Sequence, residues 1–490
     1  MLFSGPLNPP VVRQLLRINI SLMVCIEFIQ NVMLSFASSY LCGALGMTRQ
    51  TYSLATGVYA CVAIIMIAQH HWLVSHLSYR RCIRYALIFF TVGALICAGA
   101  DDASQFILGR AIQAIGGSAF FTAARVQVNY FPPTPTGRAL AIRYMAFSLV
   151  GCSSIAPFIA SLILDNLDWR WLFLIQLPQV AVVWWLSGKT ISNVRKVRTT
   201  GKLHLGSMMA LVAGAFIVQF VMETVPYDIS DDNKLFAFLP IALVALAGFI
   251  YIELKRHNSL LPFKQLFTGR FLNGMFYYGL CYLLLSSINY LIPIFMQQGM
   301  GFPVLNCGIV ISLAGLMAIF FAWVQLNTIM RYPYQHHYLV FAFTCLALFG
   351  WLSSQFTPES TLWSIAVPLL LLSGFTAIGQ GTAAFNSFKE TDGRIFSEAY
   401  QTKNMLRELM NSTGVSLTNV FLQHREALHY TRLAESLPLD ATTRFNTSTS
   451  SIVHQVTQQS TMLSCIDFFS MICVVGVCFM GYSMIQKRIR

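Results

Sequence analysis

The sequence predicts an all-α polytopic membrane protein of fourteen transmembrane helices, arranged as two six-helix bundles with two extra central helices. Three observations predict it. First, 56% of the 490 residues are hydrophobic, only 10% are charged and the mean hydropathy is +0.61, whereas soluble proteins carry roughly 25% charged residues. A water-soluble enzyme of this size is thereby set aside. Second, a crossing needs roughly 20 apolar residues, and with its loop about 35, so the chain has room for about fourteen. Third, the apolar runs are unbroken, as at Leu283 to Leu285 and Leu369 to Leu372, where a membrane barrel would alternate apolar and polar residues.

In order, the spans are expected near 16–39, 51–74, 82–100, 105–128, 140–164 and 171–188, each an apolar stretch bounded by charged or turn-rich breaks. A basic link containing Arg195, Lys196, Arg198 and Lys202 follows, then spans near 204–224 and 235–254. Six more are expected near 271–296, 304–330, 337–355, 361–386, 399–422 and 461–485. This divides the chain into a first bundle over 1–190, a linker with two helices over 191–258 and a second bundle over 259–490. The stretch 423–459 mixes Ser, Thr, Asp and His with few large apolar residues, so it is expected as a hydrophilic or helical hairpin extension.

The net charge of +13 does not point to nucleic acid, because the Lys and Arg residues sit in short clusters between apolar runs. Such clusters orient membrane helices. With the N-terminus in the cytoplasm, Arg80, Arg81, Arg84, Arg138, Lys189, Arg270, Arg331, Lys389 and Arg394 fall inside, and the outside keeps Arg49, Lys234, Arg425, Arg432 and Arg444. Both termini are therefore expected in the cytoplasm. The first apolar stretch lacks a small-residue cleavage site and is expected to stay as an anchor. Twelve Cys lie almost entirely in apolar segments, without CxxC or zinc spacing, which reads as packing residues and implies no disulfide framework. His70, His71 and His76 lack further ligands nearby, so no metal and no cofactor are expected.

Two six-span halves suggest a parallel-repeat secondary transporter with its substrate site at the midplane. No GxxxxGK[ST] stretch is present to cradle phosphates, which favours an ion gradient as the energy source.

The fourth span reads LGRAIQAIGGSAFF, with Arg110, Gln113, Gly116 and Gly117, and the fifth continues IAPFIASLILDNLDWRWLFLIQLP, with Pro157, Trp169 and Arg170. These segments resemble the R-x-x-Q-G-x-G-G and G-P-x-x-G-G…W-R-W-x-F-x-x-N-x-P motifs of the major facilitator superfamily, in particular its fourteen-span drug:proton antiporters of the EmrB multidrug-exporter type. KNMLRELMNSTGVSL, with Asn404, Arg407, Ser412 and Gly414, is similar to that family's N-x-x-R-x-x-G-x-S-x-G stretch. The resemblance implies the major facilitator fold and proton-coupled export of hydrophobic or amphipathic small molecules across a bacterial inner membrane. It further implies a periplasmic adaptor and an outer-membrane channel as candidate partners, for which 423–459 is the expected contact surface, and it associates Arg110 with proton coupling. There are departures. HHWLVSHLSYRR stands where the family usually reads G-x-L-x-D-x-x-G-R-[KR], Ala156, Ala160 and Ser161 replace usual glycines, and Glu27 precedes Asn31 by four residues where the family has an Asp five before an Asn.

Three residues are the candidates for proton coupling. Glu27 lies about ten residues into its span, roughly 15 Å deep, with Gln30 and Asn31 on its face, and an ionisable group at that depth marks a functional site by default. Glu408 sits in span thirteen with Asn404 and Ser412 one turn to either side; the other reading is an ion pair with Arg407 that steadies the helix, with Arg407 and Lys403 snorkelling to the surface. Arg110, always charged, could pair with a carboxylate or donate to loop carbonyls. Arg125 and Arg143 read as snorkelling cations, and Glu223 and Asp467 as interfacial. Gln30, Asn31, Gln113, Tyr282, Asn289 and Asn404 are expected to line the substrate cavity; Tyr277, Tyr278, Tyr282 and Tyr290 either stack on planar substrates or face lipid. Gly116, Gly117, Pro157, Trp169, Arg170, Arg407 and Gly414 are expected to be structural. Export of one dedicated metabolite, such as a siderophore or toxin, is the alternative within transport, and a non-transporting receptor or assembly factor the alternative outside it.

Overall fold

The structure, a computed structural model, describes residues 9–128, 135–191, 205–224, 232–255, 268–329, 331–332, 334–388, 396–437 and 448–486. The basic link with Arg195, Lys196, Arg198 and Lys202 and the middle of the 423–459 stretch lie outside the described residues. Among the described residues every regular element is helical. The long helices are α1 (Pro9–Phe36), α2 (Arg49–Leu77), α3 (Tyr79–Ala98), α4 (Ala103–Val128), α5 (Pro135–Asn166) and α6 (Leu177–Thr190). They continue with α7 (Leu205–Thr224), α8 (Asp232–Lys255), α9 (Gly269–Ile294), α10 (Val304–Thr328), α11 (Gln335–Ser353), α12 (Leu362–Gly374, carried on through Gln380–Phe388), α13 (Phe396–Ser436) and α14 (Thr449–Ile485).

Among the described residues, eleven helical stretches are long and apolar enough to cross a membrane, namely α1 to α5, Trp171–Thr190 ending in α6, α9 to α12, and α14. Helices α7 and α8 carry the shorter apolar stretches Met209–Val221 and Leu243–Ile252. Helix α13 falls outside the eleven because polar and charged residues run along it, among them Lys403, Asn404, Arg407, Glu408 and Asn411. That polarity concentrates ionisable and amide side chains on α13.

Local signals set the helix ends. The hydroxyls of Thr48, Thr268, Thr361 and Ser448 accept from the backbone N–H three residues on, satisfying a donor that a helix start leaves free. Gly46 and Gly301 adopt φ of +59° and +72° in the turns before α2 and α10, a region that suits a residue without Cβ. Helices α9 and α12 carry Pro293 and Pro368, and each runs on into one widened π turn, Phe295–Gly299 and Phe375–Gly379.

Helices α1 to α6 pack on one another, as do α9 to α14, and the two groups meet along two seams, α2 against α13 and α5 against α10. Small residues let the backbones approach. A Cβ on Gly116 would collide with the carbonyl of Ala86, one on Gly308 with Ser161, and one on Gly414 with the carbonyl of Leu283. The α7–α8 hairpin lies over the α2–α13 seam, where the Gln219 amide donates to Ser416, itself 3.2 Å from Ser53. Helices α13 and α14, of 41 and 37 residues, are longer than the roughly 20 residues a bilayer core requires. The stretch 423–459 is thus in large part a continuation of the two helices, held at its base by Asp467 against Arg425 and His429.

The cysteines depart from expectation. Cys25 of α1 and Cys152 of α5 form a disulfide, with Cα atoms 5.6 Å apart, and the other ten are free thiols. The pair stands four helical segments apart in sequence, so spacing alone gave no sign of it.

Candidate functional site

A cavity of about 190 Å³ lies between the two groups of helices. Its wall takes residues from both, including Glu27, Asn31, Tyr59, Arg110 and Pro157 from the first and Tyr282, Asn289, Arg407, Glu408 and Asn411 from the second. Two glutamates and two arginines are the charged residues on this wall.

Three of these four form one cluster. The Arg407 guanidinium donates from Nη2 to Glu27 across the two groups, and from Nη2 and Nε to Glu408 Oε1, the latter at 3.1 Å. The free oxygen of Glu27 accepts from the backbone N–H of Phe121 at 3.2 Å. Phe28 and Phe121 flank the guanidinium, their ring centroids 5.1 and 4.6 Å from its Cζ. All three charged residues are at most 3% exposed. Charges so removed from water persist only when paired and hydrogen-bonded, and one cation here serves two carboxylates.

Arg110 stands apart from this cluster. It donates to Gln113 Oε1 at 2.7 Å and its Cζ lies 4.1 Å from the ring centroid of Tyr59. Among the described residues it forms no ion pair with a carboxylate.

The described residues bridge the two groups at both ends of the cavity. At the end away from the N-terminus, the rings of Tyr52 and Tyr290 stack with centroids 6.0 Å apart. Beyond them Arg49 donates to Glu426 at 2.8 and 3.0 Å and to Gln298 at 2.5 Å. At the end toward the N-terminus, Tyr400 packs on Phe121, with ring centroids 5.8 Å apart, and under Arg125, while Asn404 donates to Thr122 Oγ1 at 3.0 Å and Arg143 to Asn327 Oδ1 at 3.3 Å. The cavity is therefore pinched from both sides.

The chain belongs to the Major Facilitator Superfamily. The superfamily's sequence profile matches residues 20–391, well over half of the chain. Among curated proteins it is 23% identical to "Multidrug export protein EmrB" of Haemophilus influenzae, over 91% of this chain and 86% of that protein. It is 22% identical to "Probable multidrug resistance protein EmrY" of Escherichia coli, over 94% and 92%. Among solved structures it superposes on a bacterial homologue of the human lysosomal transporter Spinster, in an inward-facing conformation, with a TM-score of 0.62, 12% identity and coverage of 98% and 97%. The xylose transporter XylE from E. coli gives 0.61, 10% identity and coverage of 96% and 98%. Fold and family agree with the resemblance read from the Trp-Arg-Trp and Arg-x-x-Gln segments, and the chain is a multi-pass membrane protein.

Of the six residues expected to line the cavity, Asn31, Tyr282 and Asn289 do so. Gln30, Gln113 and Asn404 are buried behind it: Gln113 holds Arg110, and Asn404 ties α13 to α4. Snorkelling of Arg407 and Lys403 is corrected, since they are 1% and 5% exposed; both point into the protein because carboxylates and the rings of Tyr278 and Tyr400 await them there. Arg125 is likewise half-buried against Tyr400, while Arg143 is exposed. The tyrosines of α9 are buried, so none faces lipid: Tyr277 pairs with Ser483 at 3.0 Å, Tyr278 sits under Lys403, and Tyr290 stacks on Tyr52.

Gly116, Gly117 and Gly414 sit at close helix approaches, and Pro157 reaches the cavity wall. Trp169 is buried, and Arg170 pairs with Asp101 and Asp168 at the end away from the N-terminus. The Glu223 side chain lies outside the described residues. The sequence reading missed the bridging role of Arg407 and the Arg49–Glu426 pair. The available signal was Glu27, a deep carboxylate with no cation within a turn of it on its own span, which required a partner from elsewhere in the chain.

Proposed function

We propose that the protein exports hydrophobic or amphipathic small molecules in exchange for protons by alternating access, with Glu27, Arg407 and Glu408 as the coupling groups. The observation that carries this reading is the sharing of one guanidinium by two carboxylates from opposite groups of helices, on the wall of the cavity. When both carboxyls are ionised the cluster has one negative charge beyond its cation, which a proton or a substrate cation offsets. Protonation of Glu27 removes the arm of the bridge that crosses from α13 to α1, and the two groups are then free to rock about the cavity. Tyr52, Tyr59, Phe28 and Tyr282 supply an aromatic wall for amphipathic frames.

The relatives that carry "multidrug" in their names support export of small molecules. The basic clusters between spans support a cytoplasmic N-terminus and C-terminus in a bacterial inner membrane. The helical extensions of α13 and α14 are the surface we assign to a periplasmic adaptor that would lead to an outer-membrane channel.

The test is dissipation of a preset pH gradient in everted vesicles on addition of a panel of amphipathic compounds, with Glu27→Gln in parallel. Compound-driven proton movement that is lost in Glu27→Gln is the expected result. Movement undiminished in the variant would remove Glu27 from coupling, and a response to one compound alone would replace a broad exporter with a dedicated one.

A further inference from the structure

The four charged residues on the cavity wall fall into two unlike poles. One pole is the Glu27–Arg407–Glu408 cluster, in which two carboxylates share one cation. The other is Arg110, which reaches the same cavity from α4. The carbonyl oxygen of Gln113 is a neutral acceptor and the Tyr59 face offers only the π-system beneath the guanidinium, so the charge of Arg110 is met by dipoles and not by an anion. A guanidinium is always protonated and has five N–H donors in a fork suited to a carboxylate. One of its nitrogens is engaged by Gln113, and the group is 4% exposed, on the cavity. A buried charge with no carboxylate in contact is costly; an anion brought by the substrate would relieve it.

Resting on the exporter reading above, we propose that the preferred substrates are amphipathic zwitterions, molecules with an ammonium group and a carboxylate on one apolar frame. The ammonium competes with the proton for the excess carboxylate of the cluster. The carboxylate docks on Arg110, held in place by Gln113. The aromatic residues on the same wall, Tyr59, Phe28 and Tyr282, take the apolar frame. A purely cationic substrate would leave Arg110 uncompensated. A purely anionic one would do nothing for the excess carboxylate and would gain affinity when the cluster is protonated, which opposes exchange with protons. A molecule with both charges satisfies both poles and still competes with the proton.

The experiment uses the full chain purified into proteoliposomes with an imposed pH gradient, and three matched probes. A 4-alkylphenylalanine is the zwitterion, its primary carboxamide keeps only the cation, and its N-acetyl derivative keeps only the anion. Proton movement and probe uptake are read together. Hydrogen bonds to charged groups contribute enough for about a tenfold difference, so half-saturation by the zwitterion is expected at a concentration about tenfold lower than by the carboxamide. The N-acetyl derivative should drive no proton exchange. In Arg110→Gln the ratio between zwitterion and carboxamide should collapse to about one, and in Arg110→Lys, which keeps the charge without the fork, it should lie between. Equal half-saturation in the unmodified protein overturns the proposal, as does a ratio unchanged in Arg110→Gln. If Arg110→Gln does not fold or does not exchange protons, equilibrium binding of the three probes to the unmodified protein and to Arg110→Lys decides. Silence toward all three probes with a response to tetraphenylphosphonium overturns the zwitterion assignment alone; silence toward that cation as well overturns the export reading beneath it.

Discussion

Two arginine–carboxylate pairs tie the halves of this molecule together, and they do so in unlike surroundings. Arg407 reaches from α13 to Glu27 of α1 at the centre, where both partners are at most 2% exposed. Arg49 reaches from α2 to Glu426 at the end of the bundle, where the side chains are 25% and 22% exposed. The chemistry is the same, but the solvent is not. At the centre, loss of one partner strands a charge in a low-dielectric interior, at a cost of about 3–5 kcal/mol for a broken buried pair. At the end the pair is half-buried, so water reaches the group left behind and the loss should lie nearer the about 0–1 kcal/mol of exposed pairs. The central pair is thus an expensive place to store charge, in keeping with the coupling role proposed for it, whereas the outer one costs less to open.

The largest effect that would break this comparison is at Arg407. Arg407→Met leaves Glu27 and Glu408 buried together without a cation, and is expected to lower stability by about 3–5 kcal/mol, read as a drop in melting temperature in detergent, with loss of transport. Adding Glu27→Gln and Glu408→Gln to Arg407→Met should restore most of the stability and none of the transport. Failure of the triple variant to recover stability would mean that packing of the guanidinium between Phe28 and Phe121, and not its charge, supports the centre.

Arg49→Gln should be milder and of a different kind. Its stability is expected to change by no more than about 1 kcal/mol, while the cavity should open more often at the end away from the N-terminus. A cysteine placed at Asn31 on the cavity wall, in a background where the labelling of native thiols is subtracted, should then react faster with a membrane-impermeant reagent added from that end. Unchanged labelling would show that the Tyr52–Tyr290 stack closes the cavity without the Arg49–Glu426 pair.

The two regions were unequally legible in the sequence. Span positions follow from hydropathy, because each apolar run ends at a charged or turn-forming break; the start of α2 at Arg49 and the end of α12 near Phe388 lie within a few residues of expectation. Depth along a span is likewise readable, so Glu27, Arg110 and Glu408 stood out as ionisable groups on helices. Which face of a helix meets which other helix is not readable in that way when nearly every face is apolar. Gln30 and Asn31 are neighbours in sequence, yet one is behind the wall and the other on it. Lys403 and Arg407 read as snorkelling cations because span position alone says nothing of the carboxylate and aromatic partners that draw them inward. The partners of Arg407 are one and 380 residues away, and only the first is visible in a linear reading.

A third pair extends the comparison to its exposed limit. Arg170, in the Trp-Arg-Trp segment, reaches Asp101 at 3.2 Å and Asp168 at 3.3 Å, with side chains 39%, 81% and 50% exposed. It also stacks on Trp169, with its Cζ 4.8 Å from the ring centroid. If burial ranks these arginines, Arg170→Gln should move stability by no more than about 0.5 kcal/mol, the range of surface substitutions away from special features, and less than Arg49→Gln. High salt should erase the difference from the unmodified protein, since exposed pairs are screened over about 10 Å at 0.1 M ionic strength, while leaving the defect of Arg407→Met in place. A loss at Arg170 greater than at Arg49, persisting in salt, would show that the stack on Trp169 positions the turn between α5 and α6, and that aromatic packing, not burial of charge, sets the order among the three.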